Sequence, residues 1–251
     1  FGRRTVMKWV FHFAAFLACC WANDITMYNH CPFTVWPAIL GSAGKGQPEN
    51  GGFRLGAYQT QVVTVAGDWA GRIWGRTNCD ATGHCETGDC GEKIECRGAG
   101  GAPPASLVEL ALAGANGLDF YDVSLVDGFN LPLKMMPVAG FAKRGQSKYD
   151  CGAAGCSADL NAKCPAELVL KSDQSTVACT SACTKFNTDQ YCCRGAYGTP
   201  QTCKSSNWPV NYAAVFKQAC PDAYSYAFDD ATSIFTCKGN PATDYKLTFC
   251  P

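Results

Sequence analysis

Charge is scarce in this sequence. Only 17% of its 251 residues are Asp, Glu, Lys or Arg, and no block of five or more basic residues occurs. That absence removes the electrostatic footprint of a nucleic-acid binder and of a protein drawn to anionic lipid. Histidine is scarcer still, limited to His12, His30 and His84. There is no Gly-x-Ser-x-Gly elbow, which argues against Ser–His–Asp hydrolysis. A phosphate-cradling glycine loop, an internal repeat and a low-complexity segment are also missing, as is an Asn-x-Ser/Thr sequon after residue 22.

Long apolar runs are missing too. The run from Met7 to Ala22 has a short basic start, an apolar centre too short to span a bilayer, and small residues at Cys20 and Ala22. It reads as a secretory signal peptide cut after Ala22. Its length and the interrupting His12 disfavour a membrane anchor, and residues 1–6 read as translated upstream sequence. The leader holds Arg3, Arg4 and Lys8 and no acid. Its removal lowers the 21 basic residues to 18 against 21 acids, a net charge of −3.

Cysteine, by contrast, is abundant. Of 18 cysteines, Cys19 and Cys20 fall in the leader, leaving sixteen between Cys31 and Cys250. An even count behind a leader describes a secreted fold built on disulfides. A chain of this length buries roughly 70% of its surface and does not need staples merely to hold a core. So many bridges, each contributing about 2–4 kcal/mol and not additively, point to persistence among proteases. Zinc is the other use of paired cysteines. However, Cys151, Cys156 and Cys164, with Cys192 and Cys193, lack two CxxC pairs at ribbon spacing. No metal or other cofactor is therefore expected, and no thiol nucleophile.

Alternating segments read as short strands: 24–29, 33–36, 61–65, 72–76, 106–112, 120–126 and 245–249. Gly41, Gly44, Gly46, Pro48, Gly51 and Gly52 supply turns between them. The expected fold is mainly β, a disulfide-rich β-sandwich core with two smaller loop-rich lobes. The core is expected to comprise residues 23–76, 105–157 and 221–251. A small stapled lobe would take 77–104, and a larger cysteine-rich lobe with short helices 158–220. Within the latter, Trp208 to Ala219 reads as a helix with Pro209 in its first turn and Tyr212, Val215, Phe216 and Ala219 on one face.

Five motifs in order resemble the thaumatin-like proteins of the pathogenesis-related class. They are Gly71-Arg-Ile-Trp-Gly-Arg-Thr77, Cys85-Glu-Thr-Gly-Asp-Cys90, the run from Asp119 to Pro132, Cys220-Pro-Asp-Ala-Tyr-Ser-Tyr226 and Thr248-Phe-Cys-Pro251. The likeness covers essentially all of 23–251. Departures sit at Ala81, at Gly91-Glu-Lys93, and in the stretches 139–150 and 171–178. The resemblance implies the pairing Cys31–Cys250, Cys79–Cys85, Cys90–Cys96, Cys151–Cys237, Cys156–Cys220, Cys164–Cys179, Cys183–Cys192 and Cys193–Cys203. It also implies an acidic cleft between the sandwich and the larger lobe, carried onto Arg72, Glu109, Asp122, Asp127 and Asp229. Asp229 and its neighbour Asp230 both suit the last position.

Asp122 and Asp127 are five apart, so an unbroken strand would place them on opposite faces. Both can line one cleft only if the chain bends before Gly128. Asp122 would then share a face with Ser124 while Val123 and Leu125 point to the core. Each acid taken alone could equally be a solvated carboxylate or a partner of Arg72. As a set they could accept hydrogen bonds from glycan hydroxyls, with Tyr121, Phe129 or Tyr191 as stacking surfaces or as plain core.

The resemblance implies a secreted, antifungal, monomeric defence protein that binds fungal β-1,3-glucan or another wall polysaccharide, without nucleic acid or a transmembrane segment. One alternative is a weak endo-β-1,3-glucanase using Glu109 with Asp122 or Asp127. Another is a non-glycan inhibitor or receptor-interaction protein, ranked last because the charge is mildly acidic.

Overall fold

The computed structural model describes residues 22–251. The leader reading falls on residues 1–22 and, apart from Ala22, lies outside the described residues. Twelve strands and three short α-helices follow in order: β1 (Ala22–Asn29), β2 (Trp36–Gly41), β3 (Thr60–Ala66), β4 (Ala70–Cys79), β5 (Cys85–Thr87), β6 (Leu107–Ala111), β7 (Asp119–Ser124), β8 (Leu133–Ala142), β9 (Ala154–Cys156), β10 (Val169–Ser172), β11 (Ser175–Cys179), α1 (Ala182–Phe186), α2 (Asp189–Cys192), α3 (Tyr212–Ala219) and β12 (Phe235–Phe249).

Ten of the described strands form two layers joined by β12, while β10 and β11 pair as a separate two-stranded ribbon. The first part of β12, Phe235–Cys237, extends the antiparallel array β2-β4-β6-β7. Its second part runs parallel to β1 and antiparallel to β8, with β3 beyond β1 and β9 beyond β8. Strand alternation sorts the side chains. Ile25, Met27, Tyr245, Leu247, Leu133 and Met135 point inward from one layer. Ile73, Val108, Tyr121 and Val123 meet them from the other, and all belong to one buried cluster. Full burial of each such side chain contributes about 1.5–3 kcal/mol.

All eight bridges are closed, in the pairing that the resemblance implies. Arg76, wholly buried, reinforces the segment stapled by Cys79–Cys85 and Cys90–Cys96. Its guanidinium donates to the carbonyls of Trp36, Pro37, Lys93 and Ile94 at 2.7–3.3 Å, tying that segment to β2. Burial pulls Arg76 down to about 10, with the nearby Asp89 charge opposing the shift.

The helices sit in the cysteine-rich stretch, each with a side-chain cap: Ser181 for α1, Thr188 for α2 and Asn211 for α3. Helix α3 buries Tyr212, Ala213 and Phe216. It starts later than the sequence pattern suggests. Pro209 lies outside it, because the Asn211 side chain accepts the Ala214 N–H and fixes the first turn there.

Candidate functional site: an acidic cleft across three strands

Strands β4, β6 and β7 are in register so that Arg72 lies opposite Glu109 and Glu109 opposite Asp122. Alternation sends Val108, Leu110, Tyr121 and Val123 into the core and leaves Glu109, Asp122 and Ser124 on the other face. The row therefore places one cation and two carboxyls side by side across three strands. Directly opposed residues of antiparallel neighbours have Cβ atoms about 4.5–5.5 Å apart, close enough for strong electrostatic coupling.

The strand then ends and the chain bends. Val126 and Asp127 occupy the turn, closed by Gly128 N–H donating to Leu125 O at 3.0 Å. Gly128 adopts φ +99°, and a Cβ there would lie 2.6 Å from Pro104 Cβ and 2.7 Å from Cys179 O. Only glycine accommodates that approach. The bend brings Asp127 back to the side occupied by Asp122. The two carboxyls, Arg72, Glu109, Ser124, Tyr224 and Asp230 surround one open cleft of about 400 Å³.

For the last acid, where Asp229 and Asp230 both suited the sequence, the structure lines this cleft with Asp230. Asp229 does not line the cleft. Its carboxylate accepts the Ser225 N–H (3.0 Å), the Ser225 hydroxyl (2.8 Å) and the Thr232 hydroxyl (3.1 Å), and pairs with Lys217 at 3.0 Å. Asp230 faces the cleft instead and accepts the Tyr224 hydroxyl at 2.9 Å. The three aromatics considered for stacking are also placed outside the cleft lining. Tyr121 and Phe129 are wholly buried, and the Tyr121 hydroxyl is taken by Gly152 O at 2.6 Å. Tyr191 lines an adjacent apolar pocket with Trp208, Tyr212, Phe216 and Tyr226, which shares Val126 and Ala227 with the cleft.

Electrostatics divide the carboxyls. Asp122 is only 6% exposed, and its Oδ1 is buried without a hydrogen-bond partner among the described residues. Burial, then the charges of Glu109 and Asp230, push it up to about 8. At neutral pH it is therefore largely a neutral carboxyl, which also explains how a partnerless buried oxygen is tolerated. Glu109 is raised as well, first by desolvation in the concavity and then by Asp127, with Arg72 opposing. The site thus combines a protonated carboxyl able to donate, three further carboxyl groups whose oxygens can accept, and one guanidinium. Ser124 lies on the Asp122 face as strand alternation predicts, whereas Tyr224 was not among the residues expected here, although it stands inside the Cys220–Tyr226 motif.

The two histidines among the described residues lie elsewhere. His30 Nδ1 is 3.0 Å from Cys250 O, and His84 Nδ1 is 3.7 Å from Asp89.

A profile of the thaumatin family matches residues 29–251. Pathogenesis-related protein 5 of Arabidopsis thaliana is 50% identical over 235 residues, covering 92% of this chain and 91% of the relative. A protein of Prunus avium named glucan endo-1,3-beta-glucosidase is 47% identical over 236 residues, covering 92% and 91%. Among solved structures, a laminaripentaose-producing beta-1,3-glucanase in complex with laminaritetraose shares the fold with a TM-score of 0.56. It is 11% identical, over 92% of this chain and 99% of that one. A mostly β fold with eight bridges, matched over nearly its whole described length by the family profile and by relatives at about half identity, establishes that this chain belongs to the thaumatin family, among its thaumatin-like, pathogenesis-related members.

Proposed function

We propose that this is a secreted defence protein that binds β-1,3-glucan of fungal walls through the cleft of Arg72, Glu109, Asp122, Asp127 and Asp230, acting as a monomer. One observation carries the reading: the row Arg72–Glu109–Asp122, continued by Asp127 and Asp230 around one open concavity. Glycan hydroxyls both donate and accept, and this cleft offers both complements. Asp127, Asp230 and Glu109 supply acceptors, while Arg72 and protonated Asp122 supply donors. The Prunus avium relative, named for glucan hydrolysis, supports a β-1,3-glucan as the polymer.

A second reading is weak endo-hydrolysis at the same site. What favours it is the proton on Asp122 beside Glu109, since glycosidic cleavage needs one carboxyl that keeps its proton near neutrality and a second that does not. The two readings share a site and differ in turnover. Purified protein is to be assayed for binding to a soluble β-1,3-glucan and for release of reducing sugar, beside Glu109→Gln and Asp122→Asn. Binding that is lost in these variants without loss of fold supports the glucan reading. Release abolished by both substitutions would establish hydrolysis, and wild-type binding without release would exclude it. Neither binding nor release by the wild type would overturn both readings in favour of a partner other than a glycan.

A further inference from the structure

Tyr224 is fixed to the cleft more firmly than its loop position suggests. Its N–H donates to Val123 O and its carbonyl accepts the Leu125 N–H, both at 2.9 Å. It thereby forms a parallel bridge with Ser124, two residues beyond Asp122. Its side chain is nine-tenths buried, and the hydroxyl ends 2.9 Å from Asp230 Oδ1. Burial, reinforced by that bond and by the charges of Asp122, Asp230 and Glu109, keeps the phenol protonated far above its ordinary range, so it acts only as a donor. Asp230 stands exposed at the start of a single 3-10 turn, 230–232. Its neighbour Asp229 is turned the other way by Ser225 and Lys217. Tyr224 is thus the buried hydroxyl that holds the Asp230 carboxylate toward the row.

Every charged group facing Asp122 can be named. Glu109 lies opposite on β6, Arg72 one strand further on β4, and Asp127 on the turn after β7. Asp230 and Tyr224 come from the C-terminal segment. On the other side of β7, β12 pairs through Phe235, Thr236 and the bridged Cys237, none of which titrates.

We infer that Tyr224 is a positioning residue: its buried hydroxyl holds the Asp230 carboxylate on the cleft, on the side of Asp122 and Glu109, where the exposed loop alone would not fix it. A charge held there favours the proton on the buried Asp122 and tunes the pH range over which the cleft keeps its carboxyl donor. The consequence for glucan rests on the function proposed above, whereas the proton placement does not. The burial of Asp122 and the presence of Glu109 supply most of its proton affinity, and Asp230 is the adjustable contribution.

The test is a pH titration of 13C-carboxyl aspartate signals in the intact, disulfide-bonded protein without glucan. Tyr224→Phe removes one oxygen and releases Asp230 toward solvent. The Asp122 midpoint should fall by roughly half to one pH unit, the scale of moving a unit charge a few ångströms in a partly screened site. Asp230→Asn should lower it at least as far, and the double variant should match Asp230→Asn alone. An unchanged midpoint in Tyr224→Phe would overturn the inference. So would a raised one, which would mean that the hydroxyl stabilises the Asp122 anion directly. A further fall in the double variant would show that Tyr224 acts independently of Asp230. Should Tyr224→Phe fail to fold, Asp230→Asn alone decides, because an unmoved midpoint removes the charge on which the inference depends. If the wild type binds β-1,3-glucan, the alkaline limb of its affinity profile should move with the midpoint. Absence of glucan binding at any pH, with the expected midpoints intact, would sink the proposed function and leave the positioning role standing.

Discussion

Replacing Asp122 by Asn should stabilise the protein at neutral pH, although it removes a group from the cleft. The folded protein holds this carboxyl at about 8, against an ordinary aspartate value near 3.9 in the unfolded chain. Between those values the native state keeps a proton that the unfolded state releases, so stability falls as pH rises, by about 1.4 kcal/mol per unit. Below about 4 both states are protonated and above about 8 both are ionised, so the slope vanishes at either end. At pH 7 the wild type has crossed roughly three units of that window and has lost about 4 kcal/mol relative to acid pH. Asn keeps the shape and carries no charge, so Asp122→Asn should be more stable by up to about 4 kcal/mol at pH 7 and nearly equal at pH 4. In a domain of this size that corresponds to a melting temperature higher by on the order of 10 °C. Calorimetry on the oxidised protein at pH 4, 5.5, 7 and 8.5 measures the difference directly. A variant no more stable than wild type at pH 7, or one whose advantage persists undiminished at pH 4, would refute the proton placement. The expected trade is stability gained and ligand affinity lost, a pattern common where a binding site holds groups against their preference.

Gly128→Ala places a Cβ against Pro104 and Cys179 at φ +99°, and should cost roughly 2–3 kcal/mol in urea unfolding while displacing Asp127. Arg76→Leu strands four backbone carbonyls that the guanidinium now satisfies. It should cost about 3–5 kcal/mol and expose residues 77–104 to limited proteolysis, whereas a merely superficial arginine would leave both unchanged. Lys217→Met removes the half-buried cation that pairs with Asp229, leaving that carboxylate with hydroxyl and amide donors only. Unfolding should become easier by about 1–3 kcal/mol at pH 7 in urea, whereas a merely superficial ion pair would leave it unchanged.

Much of this was legible from residue order. Alternation marks 106–112 and 120–126 as strands, which form at Leu107–Ala111 and Asp119–Ser124, because each buries one face, and the same alternation puts Glu109 and Asp122 on the other. The bend at Gly128 follows from the five-residue spacing of Asp122 and Asp127 once both are assigned to one cleft. What alternation cannot reach is a loop, where side-chain direction is set by partners distant in the chain. Asp229 and Asp230 are adjacent, and the choice between them rests on Lys217, Ser225 and Tyr224. Arg76 illustrates the same limit inside a strand. It stands in the same strand alternation as Arg72, yet it is buried, because the segment 85–97 folds over it and supplies carbonyls that make burial tolerable. Tyr121 and Phe129 were ambiguous for a related reason, since an aromatic suits a binding platform and a core equally well until its neighbours are known.

The bond between Cys31 and Cys250 joins two residues separated by 219 positions, nearly the whole described chain. Topologically it makes the intervening backbone a closed ring. A single peptide-bond cut anywhere within it opens the ring and releases nothing, so the nicked protein remains one covalent molecule of unchanged mass apart from one added water. Two cuts free a fragment only where no bridge joins that fragment to the rest, as within 32–78 or 97–150, which hold no cysteine; elsewhere bridges such as Cys151–Cys237 and Cys156–Cys220 tie distant segments together. A first proteolytic cut between Cys31 and Cys250 would therefore pass unnoticed in size until the disulfides were reduced, when the hidden nick would appear.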